Sequence, residues 1–546
     1  MTYTETKEKG KKKYYYRVRS IRKGKKVNKQ RIYLGANLTK EQLVKLEKQA
    51  AEKLEKGETN LVKQGVRKER QVKKEEKQEK GLTVKKENLS EWYSEIVKKS
   101  EFADHSPVKG FMVIRPDAYK IWEKIQNYFN KVLKKQNIKN AYFPLLIPDS
   151  FFKKEAKHAK GFAPELAYVK GTEEGELLAI RPTSETIIYD SYSKWIRSHR
   201  DLPLKINQWC NILRWEVKQT KPFLRTREFL WQEGHCVFET EEQAIKNMEE
   251  IAQEYKKMTE ELLAIPVLIG QKSQKEKFPG AVTTMTTEAL MPDGKALQCG
   301  TSHNLGQGFA KSFDIRFLDK NEKLQYPWQT SWGFSTRLIG ALIMVHGDDK
   351  GLVLPPKIAE NKIVIVPILF NKTKEKVIRK AKEIKEKLKE FNPILDDRED
   401  YSPGFKFNEY ELKGIPLRIE IGPRDLEKKQ ITIVRRDTLE KKSVPEKQIS
   451  NIIPKLLDDI QKNLFNKAKR FLDKNIDSAS SIEELKKKLK DRKIVKVYMM
   501  DDPKIEEQIK ELTGGATSRI IEKASPGKCI ICKKQTTNKA YVANSY

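Results

Sequence analysis

Between Arg214 and His235 the chain reads RWEVKQTKPFLRTREFLWQEGH, and its residue types suit nucleotide chemistry. Arg214 and Glu216 are two apart, a spacing that on a strand turns both side chains to one face. Arg225 and Phe229 follow on the return limb of what reads as a hairpin, with Lys221-Pro222 near its tip. A guanidinium can grip a phosphate in a fork of hydrogen bonds, a carboxylate can accept from an exocyclic amine, and a phenyl ring can stack on a base. A surface hairpin of solvated ion pairs would carry the same residues. What decides between the two readings is the company elsewhere in the chain.

Thr183, Ser184 and Glu185 precede an apolar helix over 186–192, where such residues are favoured at any helix N-terminus. Gln298, Thr301 and His303 lie in LQCGTSH, a glycine-flanked block rather than a plain apolar run. TSWGFSTR carries Ser335 and Arg337 into the apolar segment Leu338–Val345, whose length suits a buried helix. An arginine there adds its charge to the positive end of the helix, which makes a polyphosphate a natural ligand.

These residues need a scaffold of several cores, and 546 residues suggest three or four domains. The formal charge of +34 points to a polyanionic partner, nucleic acid first. There is no apolar run long enough to span a membrane and no apolar stretch behind the charged N-terminus to act as a signal peptide. Five cysteines, of which only Cys529 and Cys532 are close, fit a reduced, cytoplasmic protein. Residues 1–88 hold 28 Lys+Arg against 12 Asp+Glu, almost half of the excess. There Tyr14–Arg22 and Val27–Leu34 read as a hairpin around Lys23-Gly24-Lys25-Lys26, followed by a helix capped by Thr39 and ending near Gly57. Lys63–Lys80 is a Lys/Glu/Gln tract, a solvated helix or a linker. Basic residues and tyrosines on the hairpin suggest nucleic-acid contact, with a solubilising or partner-binding extension as the alternative.

Several blocks in order resemble class II aminoacyl-tRNA synthetases, and among them prolyl-tRNA synthetases of the archaeal and eukaryotic type. They are MVIRPDAYKIWEKIQ (112–126), NAYFPLLIP (140–148), RPTSETIIY (181–189), the arginine run above, LQCGTSHNLGQGFAKSFDI (297–315), TSWGFSTRLIGALIMVHGDDKGLVLPP (330–356) and DDREDYSPGFKFNEYELKGIPLRIEIGPRDLE (396–427). The resemblance implies an α+β catalytic domain on an antiparallel sheet (89–356), an α/β anticodon-binding domain (357–461) and an α+β C-terminal domain (462–546), behind the basic hairpin–helix appendage (1–88). The segment Ala118–Asn137 and the strand Tyr142–Ile147 resemble motif 1, which in the family builds a homodimer interface.

It also implies a reaction: proline and ATP give prolyl-adenylate, and the prolyl group passes to the 3′ end of tRNA(Pro). By resemblance Thr183, Glu185, Arg214 and His303 hold proline. Arg214, Glu216, Arg225, Phe229, Gln298, Thr301, Ser335 and Arg337 hold ATP, Arg227 assists with phosphate, and Arg214 and Arg337 act on the transferring phosphate. Mg²⁺ would arrive with ATP, held mostly by phosphates with a carboxylate such as Glu216 assisting. Only about 100 residues separate Phe229 from Thr330, too few for the editing insertion of bacterial-type relatives, so alanine activation is expected. Glu411, Arg418 and Arg424, with Asp425 assisting, would read the two anticodon guanines. The family's structural zinc uses four cysteines; Met500 and Ile505 match the first pair, so no zinc site is expected here. Cys236 and Cys299 also depart from the family pattern. By resemblance Tyr546 reaches back toward the active site. A non-catalytic relative that only bound nucleic acid would need none of Thr183, Glu185, Arg214, Glu216 and Arg337. A class II enzyme for another amino acid is weakened by the lack of threonine-type zinc ligands near the motifs.

Overall fold

A computed structural model describes residues 2–9, 12–23, 26–55, 81–156, 165–170 and 175–546. They fall into two compact units, 1–80 and 81–546. In the first, strands Thr2–Lys9, Lys12–Lys23 and Lys26–Ala36 form an antiparallel sheet, and the helix Lys40–Glu55 follows. The sheet has one strand more than the hairpin expected: TYTETKEK alternates in period two but carries too little apolar content to be read as a strand. Thr39 and Gln42 exchange backbone-to-side-chain hydrogen bonds at the helix start. The expected helix end near Gly57, the Lys63–Lys80 tract and the Gly24-Lys25 centre of the turn lie outside the described residues.

In the second unit an eleven-stranded sheet runs in the order Ile476–Ser478, Ile494–Tyr498, Gln535–Ala543, Thr517–Lys528, Leu268–Gln271, Thr283–Leu290, Ala296–Gly306, Trp328–Ser335, Glu228–Phe238, Leu204–Leu213, Lys139–Asn140. Its strands between 204 and 335 pair antiparallel. One face packs on the helices Pro116–Lys135 and Glu241–Leu263 through an aromatic core, in which Phe334 meets Phe129 and Tyr255 edge-on and the latter two are tilted, all at 5.1–5.3 Å. Gly234 is needed there, because a Cβ would meet the Trp332 ring at 2.1 Å. Residues 81–88, read above as part of the appendage, belong to this unit, with Leu82 and Val84 packed on its core.

The expected strand Tyr142–Ile147 is not continuous: Lys139–Asn140 and Leu146–Pro148 are the strands, in two different sheets. Pro144 has no N–H for a ladder, and the Phe143 N–H donates instead to the Gln208 side chain. The C-terminal strands are not a separate sheet but extend the catalytic one through Gln271 and Ile521. Across this seam Arg519 and Lys272 both pair with the buried Glu288.

A second, five-stranded mixed sheet orders Ile394–Leu395, Ile363–Pro367, Leu417–Ile421, Gln430–Arg435 and Lys441–Pro445, with the helix Lys374–Lys387 against it. This is the mixed α/β arrangement expected for 357–461. Among the described residues no helix is long and apolar enough to cross a membrane.

Candidate active site

The sheet face opposite the aromatic core is a polar floor laid out in cross-strand rows. Trp231 pairs with Ser335. The next row runs Glu233, Gly333, Thr301, Thr286, and the one after it His235, Ser331, His303, Thr284. Strand periodicity alone would put Gln298 on the opposite face from Thr301 and His303. A bulge at Cys299 sets Gln298 opposite Glu288 and Gly300 opposite Thr287, which returns Gln298 to the face of Thr301 and His303.

Over this floor folds the loop 214–227. Arg214 and Glu216 are not on a strand, because the strand ends at Leu213, where Glu228 is its last partner. They sit in the turn that follows, and the tip closes through a bridge between Lys221 and Arg225. The helix Arg337–His346 comes close beneath the tip: Arg337 Nε donates to the Leu224 carbonyl (3.0 Å). Gly340 permits that approach, since a Cβ would lie 2.6 Å from the Leu224 side chain.

All eleven residues assigned above to proline and ATP line one cavity of about 510 Å³: Thr183, Glu185, Arg214, Glu216, Arg225, Phe229, Gln298, Thr301, His303, Ser335 and Arg337. Thr183 Oγ1 donates to the Glu185 carboxylate at the N-terminus of the helix Glu185–Trp195. The Arg214 guanidinium lies over the rings of Phe229 (5.5 Å) and Trp231 (5.9 Å). Arg227 is absent from the cavity wall; it stacks on Trp215 at 4.3 Å and donates to the Val217 carbonyl.

Neither Arg214 nor Arg337 has an ion-pair partner in contact among the described residues. Burial lowers the Arg214 pKa, and Glu216, Glu185 and Glu233 oppose this only by charge at a distance. Arg337 is pushed down to about 10 by burial and by the nearby Arg214 and Arg225 cations. Burial also pushes His303 down to about 3, so its ring is neutral, with Nδ1 2.9 Å from Thr284 Oγ1 and its face 4.7 Å from the Phe278 ring. Such a site fits a ligand with several negative charges at one end and a small apolar group at the other.

Three domain models match the chain: the tRNA synthetase class II core domain (G, H, P, S and T) at 168–346, the anticodon binding domain at 362–456, and the prolyl-tRNA synthetase C-terminal domain at 482–546. A proline–tRNA ligase of Alkaliphilus oremlandii is 51% identical over 482 residues, 87% of this chain and 100% of that relative. One from Natranaerobius thermophilus is 51% identical over 460 residues, 83% of this chain and 95% of the relative. Proline–tRNA ligase 2 of Bacillus cereus is 47% identical over 472 residues, 85% and 98%. The chain belongs to the proline–tRNA ligase family.

For a family member the cavity wall holds more than the sequence reading named. Trp231, Glu233, His235, Lys272, Phe278 and Ser331 also line it, and so does Tyr546, which the resemblance brings back toward the active site. Glu233 is the hub: it accepts from Gln208 Nε2 (2.9 Å) and from Ser184, and lies 3.1 Å from His235 Nε2. Burial opposes its ionisation, yet the contacts with His235, Ser184 and Gln208 hold its pKa below the usual range. Extending the period-two pattern from Phe229 along its strand would have found Trp231, Glu233 and His235. Nothing local points to Phe278, which comes from a loop; the Tyr546 hydroxyl donates to Asp293 (2.6 Å).

The three residues assigned to the anticodon lie in the second sheet's domain. Arg418 is paired with Glu411 (2.7 Å) and Glu420 (3.1 Å) and stacked on Phe407 at 4.1 Å. Glu411 also takes an ion pair from Lys350. Arg424 is on the short helix Pro423–Glu427, and Asp425 accepts from the Gly422 N–H (2.9 Å).

Proposed function

We propose that this chain activates L-proline with ATP and transfers the prolyl group to tRNA(Pro). The observation that carries this reading is a single cavity holding both residue sets, with unpaired arginines at one side and the neutral His303 against Phe278 at the other.

Proline's secondary ammonium has two N–H donors, which the bonded Thr183–Glu185 pair can accept, and its ring fits beside His303 and Phe278. Arg214 binds both the proline carboxylate and the α-phosphate, so the two reacting groups are held by one planar fork. The carboxylate oxygen attacks the α-phosphorus, pyrophosphate leaves, and Arg214 and Arg337 stabilise the charge on the transferring group. Glu216 accepts from the adenine amine, Phe229 stacks on its ring, and Arg225, Gln298, Thr301 and Ser335 complete the nucleotide contacts. The 3′-terminal ribose hydroxyl of tRNA then attacks the acyl carbon and releases AMP. Mg²⁺ supplies charge neutralisation on the phosphates. Among the described residues no cluster of three His, Cys, Asp or Glu is shaped to hold a metal, and Glu216 at the exposed rim is the hard oxygen donor nearest this role.

The relatives named above are bacterial, whereas the resemblance was to the archaeal and eukaryotic type. We keep that finer assignment, and what supports it is the short span between Phe229 and Thr330, much of which forms strands of one sheet and the helices Glu241–Leu263 and Gly308–Ser312. Alanine activation follows from the same feature. Around Cys529 and Cys532, Ile505 packs with the domain's apolar cluster and the Met500 N–H donates to the Cys529 sulfur. Two thiols are short of a closed zinc site, so none is proposed. We also assign Glu411, Arg418 and Arg424 to the anticodon, a homodimer built through the helix Pro116–Lys135, and a cytoplasmic location. The test is ATP–pyrophosphate exchange with each amino acid. Proline-dependent exchange with a weaker alanine signal is expected, and silence with all twenty would overturn the reading.

A further inference from the structure

The N-terminal unit lies before the first matched domain model, which begins at residue 168, and a relative aligned over its full length accounts for 482 residues of this 546-residue chain. Its two sheet faces differ. On one, Thr4, Arg17 and Glu47 bond to one another, and Ile32 clusters with Ala50 and Leu54, with Leu34 packed beside them, so the helix covers that face. On the other, contacts join Tyr16 to Tyr33 (5.2 Å), Tyr14 to Tyr33 (6.4 Å), Lys7 to Tyr16, Lys29 to Tyr3, and Arg31 to Glu5. The second face therefore interleaves four half-buried tyrosines with three exposed cations.

The charge is layered in the same way. Residues 1–36 contain 13 Lys+Arg and 2 Asp+Glu, while the helix 40–55 has 4 of each and is neutral. The strands carry the excess, and the helix, neutral as a whole, takes up Arg17 on the covered face through Glu47. A cationic face that also displays aromatic rings fits a polyanion bearing flat bases, and fits an anionic lipid surface less well because the rings carry hydroxyls and Val18, the apolar residue described among them, is buried.

We propose that this tyrosine-and-lysine face is a docking surface for RNA, namely the tRNA that the same chain aminoacylates. The choice of tRNA rests on the ligase reading above. It is favoured over duplex DNA because tRNA offers unstacked bases in its loops and at its 3′ end, whereas B-form DNA keeps its bases paired and stacked. A weak contact suffices, since a tRNA already held by the other unit meets this one at high effective concentration where the connecting residues can span the two.

The test is tRNA(Pro) binding to the full chain by fluorescence anisotropy at 50–300 mM salt, without ATP or proline, so its outcome does not depend on catalysis. Lys7 and Lys29 are exposed, so Lys7→Gln with Lys29→Gln leaves the core alone. This double variant should weaken binding on the order of ten-fold and reduce the log–log salt slope by about 1.4–1.8. Tyr33→Leu keeps an apolar strand residue but removes the stacking ring. It should weaken binding about ten-fold with the slope unchanged. Proline-dependent pyrophosphate exchange should be unaltered in both. Equal affinity and slope in all three proteins would overturn the proposal. So would tighter binding, lost in the same variants, to a DNA duplex of equal length or to vesicles of anionic phospholipid.

Discussion

Arg214 and Arg337 in the catalytic cavity and Arg418 in the second domain are the same residue type in opposite states. Arg418 is held by Glu411 and Glu420 and backed by Phe407, and its charge is spent inside the protein. Arg214 and Arg337 have no carboxylate bonded to their guanidiniums among the described residues, burial lowers the pKa of both, and the Arg214 charge lowers that of Arg337 further. A partly desolvated cation without a partner costs stability, so its persistence marks where a ligand's charge belongs. A paired arginine gives no such mark. If Arg418 reads guanine, it must exchange a carboxylate for a base edge.

The comparison makes unequal demands on four sets of variants. Arg214→Ala should lower proline-dependent exchange by about 10³, the scale of losing a main charge-stabilising group, and Arg214→Lys should restore little because the fork is lost. Normal exchange in Arg214→Ala would break the contrast at its root. Arg337→Gln should lower exchange by about 10² yet leave the melting temperature equal or higher, since it relieves repulsion among three cations. Arg418→Ala should do the reverse: exchange without tRNA stays intact while urea unfolding shows a loss of about 3 kcal/mol, because Glu411 and Glu420 keep their charge without it. Arg424→Ala, with no such partners, should cost about 1–3 kcal/mol in tRNA(Pro) recognition alone, read as a raised KM for tRNA.

A separate contrast concerns groups kept neutral rather than charged. Burial holds His303 at about 3 and His346 at about 4. Below about pH 6.5 the unfolded chain binds protons that these folded imidazoles refuse. Their contribution is therefore full above pH 6.5 and is lost as pH falls toward those values, by about 1.4 kcal/mol per pH unit for each. Unfolding curves between pH 5 and 8 should show this slope, and His303→Asn should remove its share.

Much of this was legible in the chain because it depends on local pattern. The apolar run after Arg337 and the helix carrying Ile121, Ile125 and Phe129 came through, since periodicity acts over a few positions, whereas the strand expected at Arg214 and Glu216 ends at Leu213. The N-terminal strand Thr2–Lys9 did not, because its stability comes from pairing with Lys12–Lys23 rather than from its own side chains. At Pro144 the missing N–H outweighs the apolar residues around it, and the expected strand breaks.

What the sequence determined by itself was the inventory: which cations, carboxylates and rings are present, in what order, and with what excess of charge. Which of them face each other was left to the tertiary structure. The bulge at Cys299 that turns Gln298 toward His303 exists only against the partner strand Thr283–Leu290, and Tyr546 enters the cavity wall only because the C-terminal strands extend the catalytic sheet. Whether an arginine is spent or free is likewise a long-range matter. Coulomb energy depends on distance in space, and the residues at those distances come from strands far apart along the chain.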